Sequence, residues 1–330
     1  MESLHTQRTV MWGANSVNKV VALGGGHGLA ATLSSLREIT SEITAIVTVA
    51  DNGGSSGRLR EEFSIFPPGD LRMALAALCA DDEWGRTWAD IMQHRFVSEG
   101  PLDGHAMGNL LLASLWSEDE DPVIGLDRVG SLLKVIGRVL PMAAVPLDIE
   151  GTFNTSTGRI VVRGQKEVAT AKGRIESLRV IPQNPPARME ALTAIRVADW
   201  ITMGPGSWFS SVMPHLLVPM QLDALERTKA KKILILNLDA HSNTTGEEFA
   251  GSTPEEHLEL FAEYAPNLSI DYFLVDKSVV RNENTLAHMA QKLGGQVVAV
   301  DIRKAPGSIH HDVTQLALHL GHIMRQSLVG

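Results

Sequence analysis

The sequence predicts an α/β fold built on a doubly wound, mostly parallel sheet. Three observations point there. Short apolar runs rich in Val and Ile recur along the chain, as in strands buried on both faces. Helical patterns separate these runs, so strand and helix alternate. Glycine-rich turns stand where a strand would hand over to a helix: Gly24-Gly25-Gly26-His27-Gly28 after residues 20–23, and Gly204-Pro205-Gly206-Ser207 after Met203.

In chain order, residues 1–17 are polar and irregular and are expected to form a loose tail. Residues 18–330 are read as a single α/β domain. Strands are expected at 20–23, 43–50, 195–203, 233–238, 272–275 and 297–300. Helices are expected at 29–39, 71–80, 109–116, 123–140 and 312–326, with Asp70 as an N-cap for the second. Thr253-Pro254-Glu255-Glu256 is a further start signal: a capping hydroxyl, Pro at the first helical position, then acids in the first turn. Residues 143–180 differ. Short β-like pieces such as Phe153-Asn154-Thr155-Ser156-Thr157-Gly158-Arg159-Ile160 read as a β-hairpin excursion from the domain.

Composition narrows the function. The 330 residues are 44% hydrophobic and 20% charged, which describes a globular chain with a large core. A net charge of -9 argues against a broad nucleic-acid-binding face. The one cysteine, Cys79, lies in an apolar stretch, so an intrachain disulfide is excluded and a buried core role is expected. No apolar run approaches the ~20 residues of a membrane helix. The N-terminus lacks a signal-peptide pattern, and a cytoplasmic protein is expected.

Each glycine turn precedes a candidate helix, whose N-terminus offers unpaired N–H groups and about half a positive charge. Two such turns suggest a diphosphate, hence a nucleotide ligand. Gly26-His27-Gly28-Leu29-Ala30-Ala31 fits the dinucleotide pattern G-x-G-x-x-A, and Asp51 stands about 20 residues on, where an acid bonds a ribose. An NAD(P)-dependent oxidoreductase is one reading of that region; a plain tight turn is the other. The following stretch, Asp51-Asn52-Gly53-Gly54-Ser55-Ser56-Gly57-Arg58-Leu59-Arg60, joins glycines, hydroxyls and guanidinium groups in a combination suited to an oxyanion. A solvated surface loop is the alternative.

Together with Val47-Thr48-Val49-Ala50, that stretch resembles the signature of the gluconeogenesis-factor (YvcK-like) family, relatives of the CofD-like 2-phospho-L-lactate transferases. Further segments agree in order: the first glycine turn, Pro67-Pro68-Gly69-Asp70-Leu71-Arg72, Gly104-His105-Ala106-Met107-Gly108-Asn109-Leu110, and Met203-Gly204-Pro205-Gly206-Ser207-Trp208-Phe209, extended by Pro214-His215-Leu216-Leu217-Val218-Pro219. The resemblance implies a Rossmann-like three-layer α/β/α fold and a UDP-sugar ligand, UDP-N-acetylglucosamine in particular. It also implies a regulatory role in gluconeogenic growth, cell-wall precursor supply and cell shape, and a homodimer. The CofD-like branch implies instead a phospholactyl transferase with a divalent metal, for which Asp51 and Asp70 would share Mg²⁺. Three places depart from the pattern. His27 replaces the usual Thr, Asn52 replaces a second Asp, and the segment from Asn237 to Glu247, with His241, lacks the usual proline-glycine turn.

The candidate ligand-binding residues are therefore Gly25, Gly26, His27, Asp51, Asn52, Ser55, Ser56, Arg60, Asp70, Arg72, Asn109, Gly204, Pro205, Gly206 and Ser207. Asp70 either caps its helix or orients a ribose or metal water. Arg72 pairs with phosphate or lies on a helix surface. Gly104 and Gly108 favour a turn around His105 and Asn109, with Asn109 as base or sugar reader and His105 structural. Trp208 and Phe209 are expected in the core. His310-His311-Asp312 resembles a metal cluster, but Asp312 reads as a helix N-cap.

Overall fold

The computed structural model describes residues 18–118, 121–238 and 253–326. The chain opens with β1 (Val20–Gly24), α1 (Gly26–Leu36) and β2 (Ile43–Val47). It continues through α2 (Gly54–Phe63), α3 (Pro68–Ala77), α4 (Glu83–Gln93), α5 (Met107–Glu118) and α6 (Pro122–Leu133). Next come β3 (Arg138–Pro141), β4 (Asp148–Thr155), β5 (Gly158–Arg163), α7 (Gln165–Thr170) and β6 (Arg174–Ile181). The last part holds α8 (Met189–Val197), β7 (Trp200–Met203), α9 (Pro219–Arg227), β8 (Lys231–Ile235), α10 (Pro254–Tyr264), β9 (Tyr272–Asp276), α11 (Glu283–Lys292), β10 (Gln296–Val300) and α12 (Val313–Gln326).

Seven strands form one sheet in the order β10-β9-β8-β7-β1-β2-β3, with parallel pairing throughout. All five residues of β1 are buried, as its unbroken Val/Ala/Leu run requires at the centre of a covered sheet. Leu29, Leu33 and Leu36 recur at helical spacing on α1 and are fully buried. Each such burial contributes about 1.5–3 kcal/mol. α1 packs against α3 and α12. From β1 the chain winds outward to β2 and β3, then returns to β7 on the other side of β1 and winds away through β8 to β10. Beyond the carboxyl ends of β1 and β7 the connections diverge, and open α/β sheets place their ligand crevice there.

The expected α/β class and mostly parallel sheet are present; several boundaries differ. The run 195–203 is two elements, the end of α8 and then β7, because the apolar pattern passes from the buried face of the helix into the strand. The single helix expected at 123–140 stops at Leu133. Lys134 (φ 53°) and Gly137 (φ 108°) turn the chain, and Arg138–Pro141 becomes the edge strand β3. Most of the glycine-rich stretch 51–60 is not a loop but the start of α2. The excursion exceeds a hairpin: β5-β4-β6 is an antiparallel sheet, and α7 lies between its second and third strands in sequence. Thr253 forms a full capping box with Glu256, with Pro254 at the first helical position. Residues 1–17, and 239–247 of the 237–247 segment, lie outside the described residues.

Candidate functional site

The two glycine turns meet. β1 and β7 run in register, Leu23 opposite Met203, and the Gly204 N–H donates to the Leu23 carbonyl at 3.1 Å. Thr32 of α1 donates its hydroxyl to the Gly204 carbonyl at 3.0 Å. A Cβ on Gly28 would stand 2.1 Å from the Pro205 carbonyl oxygen, so only glycine allows this approach. Gly204 (φ 74°) and Gly206 (φ 145°) adopt backbone conformations that side chains disfavour. Asn237 clamps the second turn from the end of β8. Its Oδ1 accepts from the Gly206 N–H at 3.0 Å and its Nδ2 donates to the Gly206 carbonyl at 2.8 Å. Behind the first turn, the buried His215 ring lies 3.4 Å from the Gly24 carbonyl, and Gln221 meets its other nitrogen at 2.8 Å. Burial pushes the His215 pKa down to about 4, so the ring is neutral there.

The turns border a cleft of about 550 Å³, a volume typical of small-molecule sites. Gly25, Gly26, His27, Asp51, Asp70, Pro205, Gly206 and Ser207 all line it. Asp70 is not the N-cap of its helix. Pro67 holds that position, and Asp70 sits inside the first turn of α3. Its carboxylate crosses to the first glycine turn instead, where it accepts from Thr48 Oγ1 at 3.1 Å and from the Gly26 N–H. A Cβ on Gly25 would stand 2.4 Å from both Asp70 Oδ2 and Thr48 Oγ1. Burial, then the charge of Asp51, raises the Asp70 pKa to about 7. His27 projects at the rim. Its pKa is lowered, first by desolvation and then by His310.

The other predicted side chains do not reach the cleft; they brace it. Ser56 Oγ accepts from the Gly69 N–H at 3.0 Å, joining the starts of α2 and α3. Arg60 donates to the Asp51 carbonyl at 3.1 Å and pairs with Asp148 at 3.1 Å. Arg72 is buried rather than on a surface. It donates to Asn109 Oδ1 at 2.8 Å and to Gln93, and Asn109 Nδ2 donates to Ser55 Oγ at 2.9 Å. His105 Nδ1 lies 3.0 Å from the same Ser55 hydroxyl. Gly108 and Asn109 belong to α5, not to a turn; glycine at 108 serves close packing, since a Cβ there would stand 2.8 Å from Arg72 and Met92. With its amide engaged on both sides, Asn109 holds Arg72 and Ser55 together behind the cleft. Asn52 points toward α7, where both its polar atoms are engaged.

Trp208 and Phe209 are buried. Asp312 Oδ1 accepts from the Gln315 N–H at 2.9 Å, in the N-cap manner. Among the described residues, no group of three or more His, Cys, Asp and Glu side chains is placed to hold a metal. His311 nevertheless lines the cleft. Burial pushes its pKa down to about 4, the Leu236 carbonyl bonds the ring, and its Nε2 has no partner among the described residues. Sequence reasoning also missed Met73, Gln165, Ala169 and Ser211, which line the cleft. Gln165 and Ala169 belong to the excursion, and nothing in their local sequence signals a site.

A family model described as 2-phospho-L-lactate transferase CofD matches residues 20–315. A Mycobacterium leprae protein carrying the provisional name gluconeogenesis factor is 47% identical over 308 residues, covering 91% of this chain and 84% of its own. The gluconeogenesis factor of Halalkalibacterium halodurans is 38% identical over 256 residues, covering 78% of this chain and 76% of its own. The crystal structure of a UPF0052-family protein from Bacillus halodurans superposes with a TM-score of 0.81 at 32% identity, covering 93% of this chain and 99% of that one.

Proposed function

The chain belongs to the 2-phospho-L-lactate transferase CofD family, among the gluconeogenesis factors, and on that basis we propose that its cleft binds a nucleotide sugar of the UDP-N-acetylglucosamine kind and acts as a regulator. The observation that carries this reading is the convergence of two glycine turns on one cleft at the reversal of strand order. What supports a diphosphate between them is that the start of α1 offers N–H groups beyond that of Gly26, which Asp70 engages, and that glycines let the backbone of both turns approach a ligand closely. The family likeness extends the reading to control of gluconeogenic growth and cell-wall precursor supply, in a cytoplasmic homodimer.

The described residues lining the cleft include Asp51 and Asp70 but no Lys or Arg. A diphosphate therefore meets two acids, and charge balance calls for a cation or a proton. Two carboxylates with a ligand phosphate form a donor set that suits Mg²⁺. Asp51 and Asp70 would hold it, and it would offset the diphosphate charge. The same pair supports the second reading, a CofD-like phospholactyl transferase.

Calorimetric titration with UDP-N-acetylglucosamine and with NAD, each with and without Mg²⁺, tests the proposal. The uridine compound should bind, more tightly with Mg²⁺, and NAD much more weakly. No heat with any uridine nucleotide would overturn the regulatory reading.

A further inference from the structure

The Asn52 side chain works on α7. Its Oδ1 accepts from the N–H groups of Gln165 (3.0 Å) and Lys166 (3.4 Å), and its Nδ2 donates to Glu167 Oε2 at 3.2 Å. Those N–H groups belong to the first turn of α7, which a helix leaves without internal partners. The local N-cap is Gly164, which has no side chain to satisfy them. It must be glycine, since its φ is 112° and a Cβ would stand 2.4 Å from Asn52 Nδ2. Asn52 is itself braced, because a Cβ on Gly57 of α2 would stand 2.2 Å from the Asn52 carbonyl oxygen.

α7 in turn reaches the other side of the cleft. Gln165 and Ala169 line the cleft, and Gln165 Nε2 donates to Ser210 Oγ at 3.2 Å. The Ser210 hydroxyl bonds Ser207 of the second glycine turn. A hydrogen-bonded path thus runs from the residue before the N-cap of α2, through Gln165 at the cleft wall, to the turn after β7.

We propose that Asn52 is a positioning residue whose amide holds α7 as a strap across the cleft, fixing Gln165 against the Ser207 turn. Only an amide meets both demands here. A carboxylate accepts the two N–H groups but cannot donate to Glu167, and two carboxylates at that distance repel. The strap stands on its own geometry; its consequence for affinity rests on the nucleotide-sugar reading.

Hydrogen exchange of the segment 165–170, read without ligand, tests the strap. Asn52→Ala should speed exchange in that segment by about tenfold and leave β1 protected, since a lost cap loosens the turn it holds. Asn52→Asp combined with Glu167→Gln reverses donor and acceptor and should keep wild-type protection. Unchanged exchange in Asn52→Ala, or equally fast exchange in the double variant, would overturn the proposal. In titrations with UDP-N-acetylglucosamine, Asn52→Ala should bind about tenfold more weakly and the double variant normally. A wild-type protein that binds no uridine nucleotide would defeat the nucleotide-sugar reading and leave the exchange result to judge the strap.

Discussion

Gly28 and Pro205 lie so close that a Cβ on Gly28 would stand 2.1 Å from the Pro205 carbonyl oxygen. This contact joins two turns far apart in sequence, and both residues line the cleft. Gly28→Ala should therefore force the turns apart, destabilising the fold by about 1–3 kcal/mol and weakening nucleotide binding. Gly100→Ala is the control: a Cβ there would meet only Ser98 Oγ, at 4.0 Å. Thermal denaturation of both variants, with titration of the first, checks the contrast.

His27 lies in the first turn of α1 and is exposed at the rim of the cleft. His27→Glu places a negative charge at a helix N-terminus, which favours the helix by about 0.3–1 kcal/mol. The same charge repels a diphosphate. The expected outcome is a melting temperature equal to or above wild type, with affinity for UDP-N-acetylglucosamine reduced by more than about tenfold. Retained affinity would remove the first turn from the anion site.

Asp70 has a folded-state pKa raised to about 7, chiefly by burial and then by Asp51. A raised carboxyl pKa means the folded state binds more protons than the unfolded state above the ordinary range. Stability is therefore lost as pH climbs from about 4 through about 7. Asp70→Asn should match wild type near pH 4 and exceed it at pH 8 by on the order of 1–4 kcal/mol. Denaturant unfolding at the two pH values measures this. Mg²⁺ should raise the wild-type melting temperature more at pH 8 than at pH 6, because the cation requires the ionised pair; an equal effect at both would count against a cation at Asp51 and Asp70.

His215 titrates in the opposite sense. Its folded pKa of about 4 lies below the ordinary value of 6.5, so the unfolded state takes up the proton first. Its contribution is complete above about pH 6.5 and disappears as pH falls toward 4, at a cost of a few kcal/mol. His215→Gln should flatten the stability profile in that window. A slope identical to wild type would show that His215 does not drive it.

The β-strand and helix alternation and the two glycine turns were legible in the chain. Each is written in a few adjacent residues: a Val/Ile run, or a turn that needs φ above zero. That Asp51 and Asp70 line one cleft depends on the packing of α3 against the first turn. The Ile195 run misled because one apolar stretch serves both a helix face and a strand, and periodicity cannot separate them over so few residues. Asn109 and Arg72 looked like ligand readers because an amide and a guanidinium suit phosphate and sugar equally well. Burial decided otherwise, since their donors and acceptors satisfy each other at 2.8 Å behind the cleft. Gln165 was invisible, because its place depends on an antiparallel excursion folding back to Asn52.

Sequence by itself determined the fold class and the two glycine turns, which follow from short apolar patterns and local backbone demands, and its ordered motifs carried the family resemblance. Only the tertiary structure decided that the turns face each other, that Asp70 serves the first turn rather than its own helix, and that Asn52 holds a strap. Those outcomes depend on which groups, distant in the chain, are desolvated together, and a buried polar group must find its partner wherever packing places one.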